Sequence, residues 1–320
     1  MVLPKEVLMA KPTRLLLAIV APVVLAALSA APVAAQVEDN LSVYSAKNAA
    51  GYLQPLADAV GADLDSGIFR SAYISESGFH LSVEIPAMLA KFGDDDRTFG
   101  AATEEGFYPE QTVNAPTVAG RSDAVIVDGE GGTSFAFPGG LDLNSFALAA
   151  PQLRVGSFRG TDVIFRYIAL DVSDEDEFGS ASLFGFGIQH SISQYLQNDL
   201  PLELAAGFFW HKYSLGTNKA GDDLMSGSAF TIGVQGSRRF GTPGLFVEPY
   251  GGLSLDTHSM EVAYESQVTG ESENVTLDMD SGTDLHLTVG VLVRLYYIGG
   301  YVDYGFSGMR TFSFGITLGN

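Results

Sequence analysis

The chain has 320 residues, 46% of them hydrophobic and only 17% charged, with 37 glycines, no cysteine and a formal net charge of -21. Acidic residues outnumber basic ones 38 to 17, which argues against nucleic acid as a partner, because binding a polyanion rests on Lys and Arg neutralising phosphates. Without Cys there is no disulfide scaffold, thiol enzyme or cysteine-ligated metal, and His80, His190, His211, His258 and His286 carry no zinc-ligand spacing.

Residues 1–35 read as a secretory signal peptide. Lys5, Lys11 and Arg14 precede the apolar run Leu15 to Leu28, and Val33 and Ala35 occupy the -3 and -1 positions of a cut before Gln36. No Cys follows that cut, so a lipid anchor is not expected, and no later apolar run approaches transmembrane-helix length. An exported soluble protein and a membrane β-barrel remain open at this point.

Residues 36–67 are rich in alanine and do not alternate. Leu53, Leu56 and Val60 fall at spacings of three and four, which predicts a helix that begins near Pro55 or is kinked by it, with Gly61 as its stop. Standing before the first strand, this segment is expected to fold back into a barrel as a plug; the other reading is a loosely ordered tail.

From residue 68 onward the dominant signal is period two. Leu285, Leu287, Val289, Val291, Val293 and Leu295 share one parity, and the same alternation runs through Phe79 to Leu89, Phe230 to Arg239, Leu245 to Asp256 and Phe312 to Leu318. Segments of this kind near 68–76, 79–90, 145–156, 160–172, 179–195, 202–214, 227–240, 245–257, 259–268, 273–280, 285–297, 299–307 and 310–319 predict strands. Many match the roughly 9 to 11 residues that cross a bilayer obliquely. The expected fold is therefore all-β, a transmembrane antiparallel barrel of about 12 strands, with 10 to 14 allowed and an even number required.

With the apolar parity facing lipid, the other parity turns inward and supplies Glu84, Arg166, Glu203, Arg239, Phe246, Glu248, Asp256, Arg294 and Asp303, together with Ile164, Ile168 and Leu292. Glu84, Arg166, Arg239, Phe246, Glu248 and Arg294 are the candidate lumen-lining or ligand-binding residues. Whether the charges select a solute or pair into a structural network stays open. Pro249 predicts a local bulge. Phe208, Phe209, Trp210 and Tyr213, with Tyr296, Tyr297, Tyr301 and Tyr304, predict an aromatic girdle at the membrane interfaces.

Residues 91–144 break the pattern and predict an irregular insertion that folds inward or forms a small hairpin. Asp94 to Asp96 and Asp174 to Glu177 have the oxygen ligands calcium prefers but not a ligand spacing, so no metal site is expected. His190 and Ser191 are strand neighbours on opposite faces, and Ser193 also opposes His190, so no catalytic dyad is expected there.

Several segments resemble an uncharacterised bacterial outer-membrane family related to the FadL-type transporters of hydrophobic compounds. They are residues 52–67 (Tyr52 to Gly67), 114–120 (Asn114 to Gly120), 150–156 with 160–167 (Gly160 to Tyr167), and 185–192 (Gly185 to Ile192). The resemblance implies a monomeric barrel with an N-terminal plug and an apolar binding route.

The organisation expected is thus a leader at 1–35, a helical plug at 36–67 marked by Leu53, Leu56 and Val60, and an outer-membrane barrel at 68–320 with the insertion at 91–144. The expected function is passive uptake or binding of a small hydrophobic molecule; the alternative is a structural or surface-interaction barrel with a filled lumen. Neither enzymatic activity nor a cofactor is expected. Partners are outer-membrane lipid and lipopolysaccharide, the barrel assembly machinery and the hydrophobic ligand itself.

Overall fold

The computed structural model describes residues 36–171, 180–196, 201–217, 223–268 and 272–319. The leader and the acidic run Asp174 to Glu177 lie outside them. No described helix is long and apolar enough to cross a membrane, and the chain crosses with strands instead.

A helical segment over 36–41 leads into helix α1 (Ala46–Leu64), which begins before Pro55, includes it, and runs on past Gly61. The wall begins with β1 (His80–Lys91). An insertion follows, holding hairpin β2 (Thr98–Ala102) with β3 (Thr112–Pro116) and hairpin β4 (Val125–Asp128) with β5 (Ser134–Phe137). The wall resumes with β6 (Ser145–Ala149), β7 (Gln152–Gly156), β8 (Thr161–Asp171), β9 (Ser180–Ser191), β10 (Glu203–Thr217) and β11 (Asp223–Ser237). It is completed by β12 (Phe240–Thr242), β13 (Leu245–Ser266), β14 (Glu273–Leu295), β15 (Ile298–Phe306) and β16 (Arg310–Gly319).

All wall pairings are antiparallel. β1 pairs with β16, and β11 pairs with β13, so the sheet closes on itself. β6 and β7 pair with successive halves of β1 and form one stave, and β12 continues the register of β11 along β13, which gives a barrel of ten staves. The sequence expectation of about 12 meets its lower bound for identifiable reasons. The alternating stretches 245–257 and 259–268 are one 22-residue strand, and 273–280 and 285–297 are one 23-residue strand. Residues 68–76 join no ladder. The bulge expected at Pro249 is not there: Pro249 pairs in register with Val291, and the irregularity lies between Asp256 and His258, where β14 carries one extra residue.

Burial follows parity as an apolar solvent requires. Leu285, Leu287, Val289, Val293 and Leu295 face out on β14, and Phe312, Phe314 and Ile316 do so on β16, while Glu84, Asp303, Ser313 and Thr317 are buried inside. An exposed band of this extent on a soluble protein would mark a large interaction surface; on a closed barrel it is the lipid-facing girdle. Trp210, Tyr296 and Tyr297 face outward with it, but Phe209, Tyr213 and Tyr301 are buried in the interior, which corrects the girdle as read from sequence. Phe209 shares the inward parity of Ala205, His211 and Tyr213, and Gly187 opposite it leaves room for the ring: a Cβ there would lie 2.3 Å from it.

β13 and β14 are far longer than the band requires. At about 3.4 Å per residue, β13 spans roughly 75 Å, and its far end stands beyond the lipid zone together with the insertion. There the main core forms, uniting Leu41, Tyr44, Tyr52, Leu53 and Leu56 of the N-terminal segment with Ala101, Ala115 and Phe137 of the insertion and Val262, Tyr264 and Leu277 of the extended hairpin. The insertion expected at 91–144 is therefore two hairpins closing over α1.

Candidate ligand-binding site

After α1 the chain runs down the inside of the wall to the start of β1, and inward-facing side chains from many staves hold it there. Arg166, fully buried on β8, donates to the carbonyl oxygens of Leu64 (3.1 Å), Ser66 (3.2 Å) and Gly67 (3.3 Å). Thr231 Oγ1 on β11 donates to Asp65 at 2.5 Å, Ser66 Oγ lies 3.0 Å from Thr311 Oγ1 on β16, and Arg70 pairs with Glu84 on β1. Lower down, Gln189 and Gln235 both donate to the Ser71 carbonyl (2.7 and 2.6 Å), and Ser71 Oγ donates to Glu248 at 2.5 Å. This is why residues 68–76 alternate without pairing: side chains rather than a neighbouring strand satisfy their backbone.

The register aligns much of the candidate set. Phe246 pairs with Arg294, Arg294 with Gly299, Gly299 with Thr317, Thr317 with Glu84, Glu84 with Gln152 and Gln152 with Arg166, so one row winds along the inner wall. Gln152 bridges it, donating to Glu84 Oε2 at 2.6 Å and accepting from Arg166 at 3.0 Å. Glu248 is fully buried one row away and accepts from Arg239 Nε at 2.6 Å. Arg239 itself stands at the solvent-exposed end of the lumen, stacked on Tyr73 and Phe246 at 3.9 and 4.5 Å from their ring centres. Leu53, Leu56 and Val60 are buried on α1. Glu203, on the same sequence parity, is half-buried.

Of the spaces around α1 and the threaded segment, three differ sharply in chemistry. The first, of about 90 Å3, is apolar and lies between α1 and the wall, with Val60, Leu64, Leu148, Ile168, Leu183 and Met225 around it. Phe146 to Ala149 of β6 line it together with Ala181 to Leu183 of β9 and Tyr213 to Leu215 of β10. The wall is broken beside β6. β7 pairs with β8 as far as Gln152 and Arg166, whereas β6, among the described residues, pairs only with β1. Unpaired backbone is untenable against lipid unless it lines a cavity or is covered by protein, and here the free edge of β6 borders the apolar space.

The second space, of about 320 Å3, is acidic, and Asp58, Asp65, Asp256 and Asp284 border it. Asp256 Oδ2 lies 2.9 Å from His286 Nδ1. Burial, reinforced by Asp256, holds the Asp65 carboxyl well above the usual carboxylate range, and burial does the same to fully buried Asp63 against the pull of Arg166. Among the described residues no group of three or more acidic or histidine side chains is arranged to hold a metal ion. Asp94 to Asp96 form a tight turn in which Asp96 accepts from the Gly93 amide at 2.6 Å. The third space, of about 220 Å3, opens at the other end of the barrel among Arg70, Arg154, Arg239 and Arg294. The sequence did not mark Arg70 or Arg154 as site residues, since Arg70 lies in the threaded segment and Arg154 in a short strand.

His190 is held by Thr161 Oγ1 at 2.8 Å, the Tyr195 hydroxyl at 2.9 Å and Gln194 at 2.8 Å, while Ser191 is buried on the opposite face and Ser193 Oγ accepts from the Leu204 amide at 2.7 Å. These contacts fasten the end of β9 and bring no hydroxyl of Ser191 or Ser193 to the imidazole.

The model of a family of unknown function, DUF6588, matches residues 9–320. No curated protein matches the chain. Among solved structures, it is similar to the outer membrane protease OmpT from Escherichia coli at 9% identity and a TM-score of 0.32, covering 77% of this chain and 97% of that one. It is similar to Neisserial surface protein A at 12% identity and a TM-score of 0.26, covering 76% and 97%. The translocator domain of the autotransporter NalP from Neisseria meningitidis follows at 11% identity and a TM-score of 0.28, covering 87% and 98%. At these scores the likenesses lend nothing to the reading of the site.

Proposed function

The chain belongs to the family of unknown function DUF6588, and on that premise we propose that it is a bacterial outer-membrane barrel that binds a small hydrophobic molecule and admits it passively, with residues 36–67 as the plug. The observation that carries this reading is the apolar space between α1 and the wall, bordered by the unpaired edge of β6. A molecule dissolved in the outer leaflet reaches that space through the break in the wall and displaces no ion pair on entry. Burial of apolar surface drives it at about 25 cal/mol per Å2. The resemblance to FadL-type transporters supports the same route.

Orientation follows from the connections. Turns such as Ser157–Gly160 and Tyr296–Tyr297 close one end, while the insertion rises from the other. Barrels of this kind place short turns in the periplasm and longer loops outside. The apolar space then lies toward the cell exterior and the arginine-lined space toward the periplasm. Export requires the leader at 1–35, and the barrel works as a monomer in a bilayer containing lipopolysaccharide.

The test is titration of the folded full-length protein with an apolar, environment-sensitive dye. Ala181 lines the space and is partly buried at the edge of the main core, so Ala181→Trp fills it. Dye affinity is expected to fall at least about tenfold, or 1.4 kcal/mol, while the variant keeps the heat-modifiable gel mobility of a folded barrel. Unchanged affinity in a folded variant would remove the reading.

A further inference from the structure

We infer that the arginine-lined space at the periplasmic end is a binding site for a small oxyanion, a carboxylate or a phosphate, held chiefly by Arg294. In a chain whose acids outnumber its bases 38 to 17, four guanidinium groups, those of Arg70, Arg154, Arg239 and Arg294, border one space of about 220 Å3. Three of them are matched. Arg70 pairs with Glu84; Arg154 lies 3.5 Å from Glu84 and 3.6 Å from Asp162; Arg239 lies 2.6 Å from Glu248.

Arg294 is not matched. Its NH2 group donates to the Gly319 carbonyl at 3.2 Å, its buried Nε has no hydrogen-bond partner, and among the described residues no carboxylate lies within ion-pair distance of it. A buried donor without an acceptor is costly, more so on a charged group. The guanidinium fork matches the two oxygens of a carboxylate or phosphate, so an oxyanion in this space satisfies the open donor and the surplus charge together. Thr317, two staves along the same row, and Arg239 border the position from either side.

This site is separate from the apolar space and stands or falls independently of it. The experiment is calorimetric titration of the folded full-length protein, at fixed ionic strength, with inorganic phosphate and with succinate in separate runs. At least one is expected to bind, and which one binds decides between phosphate and carboxylate. Arg294→Gln is expected to weaken that binding at least about tenfold, whereas Arg310→Gln, at the opposite end of the barrel, leaves it unchanged. No binding of either anion, or equal binding by Arg294→Gln, overturns the proposal. If Arg294→Gln lacks folded-barrel mobility, phenylglyoxal labelling of the wild-type protein decides: the bound anion is expected to slow modification of Arg294, and equal labelling with and without it overturns the site. Dye titration of the same sample reports on the apolar space separately.

Discussion

Below the bulge in β14, Leu285, Leu287 and Val289 face outward and His286 is buried; above it, Thr276 and Asp278 face outward and Leu277 and Met279 are buried. The same strand is thus apolar outside in one half and apolar inside in the other. One extra residue in β14 makes the exchange, because a single-residue shift moves every later side chain to the other face. The wall is sorted by its surroundings: lipid selects an apolar exterior and a polar filling, water selects the reverse, and the apolar space forms where the two regimes meet against α1.

That contrast can be broken at several points. Arg166→Leu has the largest expected effect. It strands three backbone carbonyls and the Gln152 side chain inside the wall, and each buried acceptor left unsatisfied costs about 1 to 3 kcal/mol. The heat-modifiable transition should shift to lower temperature, and conductance in planar bilayers should rise as residues 65–72 loosen. Next come Val289→Arg and Thr276→Arg as a pair on one strand. An arginine facing lipid costs about 2 to 4 kcal/mol near the midplane, so the first is expected to reduce the folded, membrane-inserted fraction sharply in a urea titration. The second, beyond the lipid zone, should leave it unchanged.

A smaller effect concerns acidity. Asp63 has a carboxyl pKa raised by burial in the folded protein, so between the unfolded value and the raised one the folded state holds more protons. Its contribution to stability therefore grows as pH falls through the folded pKa toward the ordinary carboxylate value and weakens as pH rises. Asp63→Asn should flatten that dependence, read as unfolding midpoints between about pH 4 and pH 7, and should raise stability at the upper end. A slope identical to wild type would show that another group, such as Asp65, carries it.

Much of the wall was legible from residues alone, because lipid enforces alternation so strictly that Glu84, Arg166 and Glu248 were placed inward by parity. The helix was legible for the same reason of spacing, with Leu53, Leu56 and Val60 on one buried face. What escaped were features set by partners distant in sequence. The stretch around Ile68 to Ile74 alternates like a strand, yet Gln189, Gln235 and Ser237 bond its backbone. The room for the Phe209 ring depends on Gly187 across a strand pair, and the union of two short alternating runs into β14 depends on a bulge that hides the phase between them. Arg70 gains its role only because the threaded segment brings it to Glu84.

In the proposed function, the space between α1 and the wall holds a hydrophobic molecule. Mass spectrometry of small molecules retained by protein purified from native membranes, beside Ala181→Trp prepared identically, tests it most directly. A defined apolar compound is expected to be enriched on the wild-type protein and depleted from the folded variant. The same bulk lipid on both, with no enriched species, would contradict it.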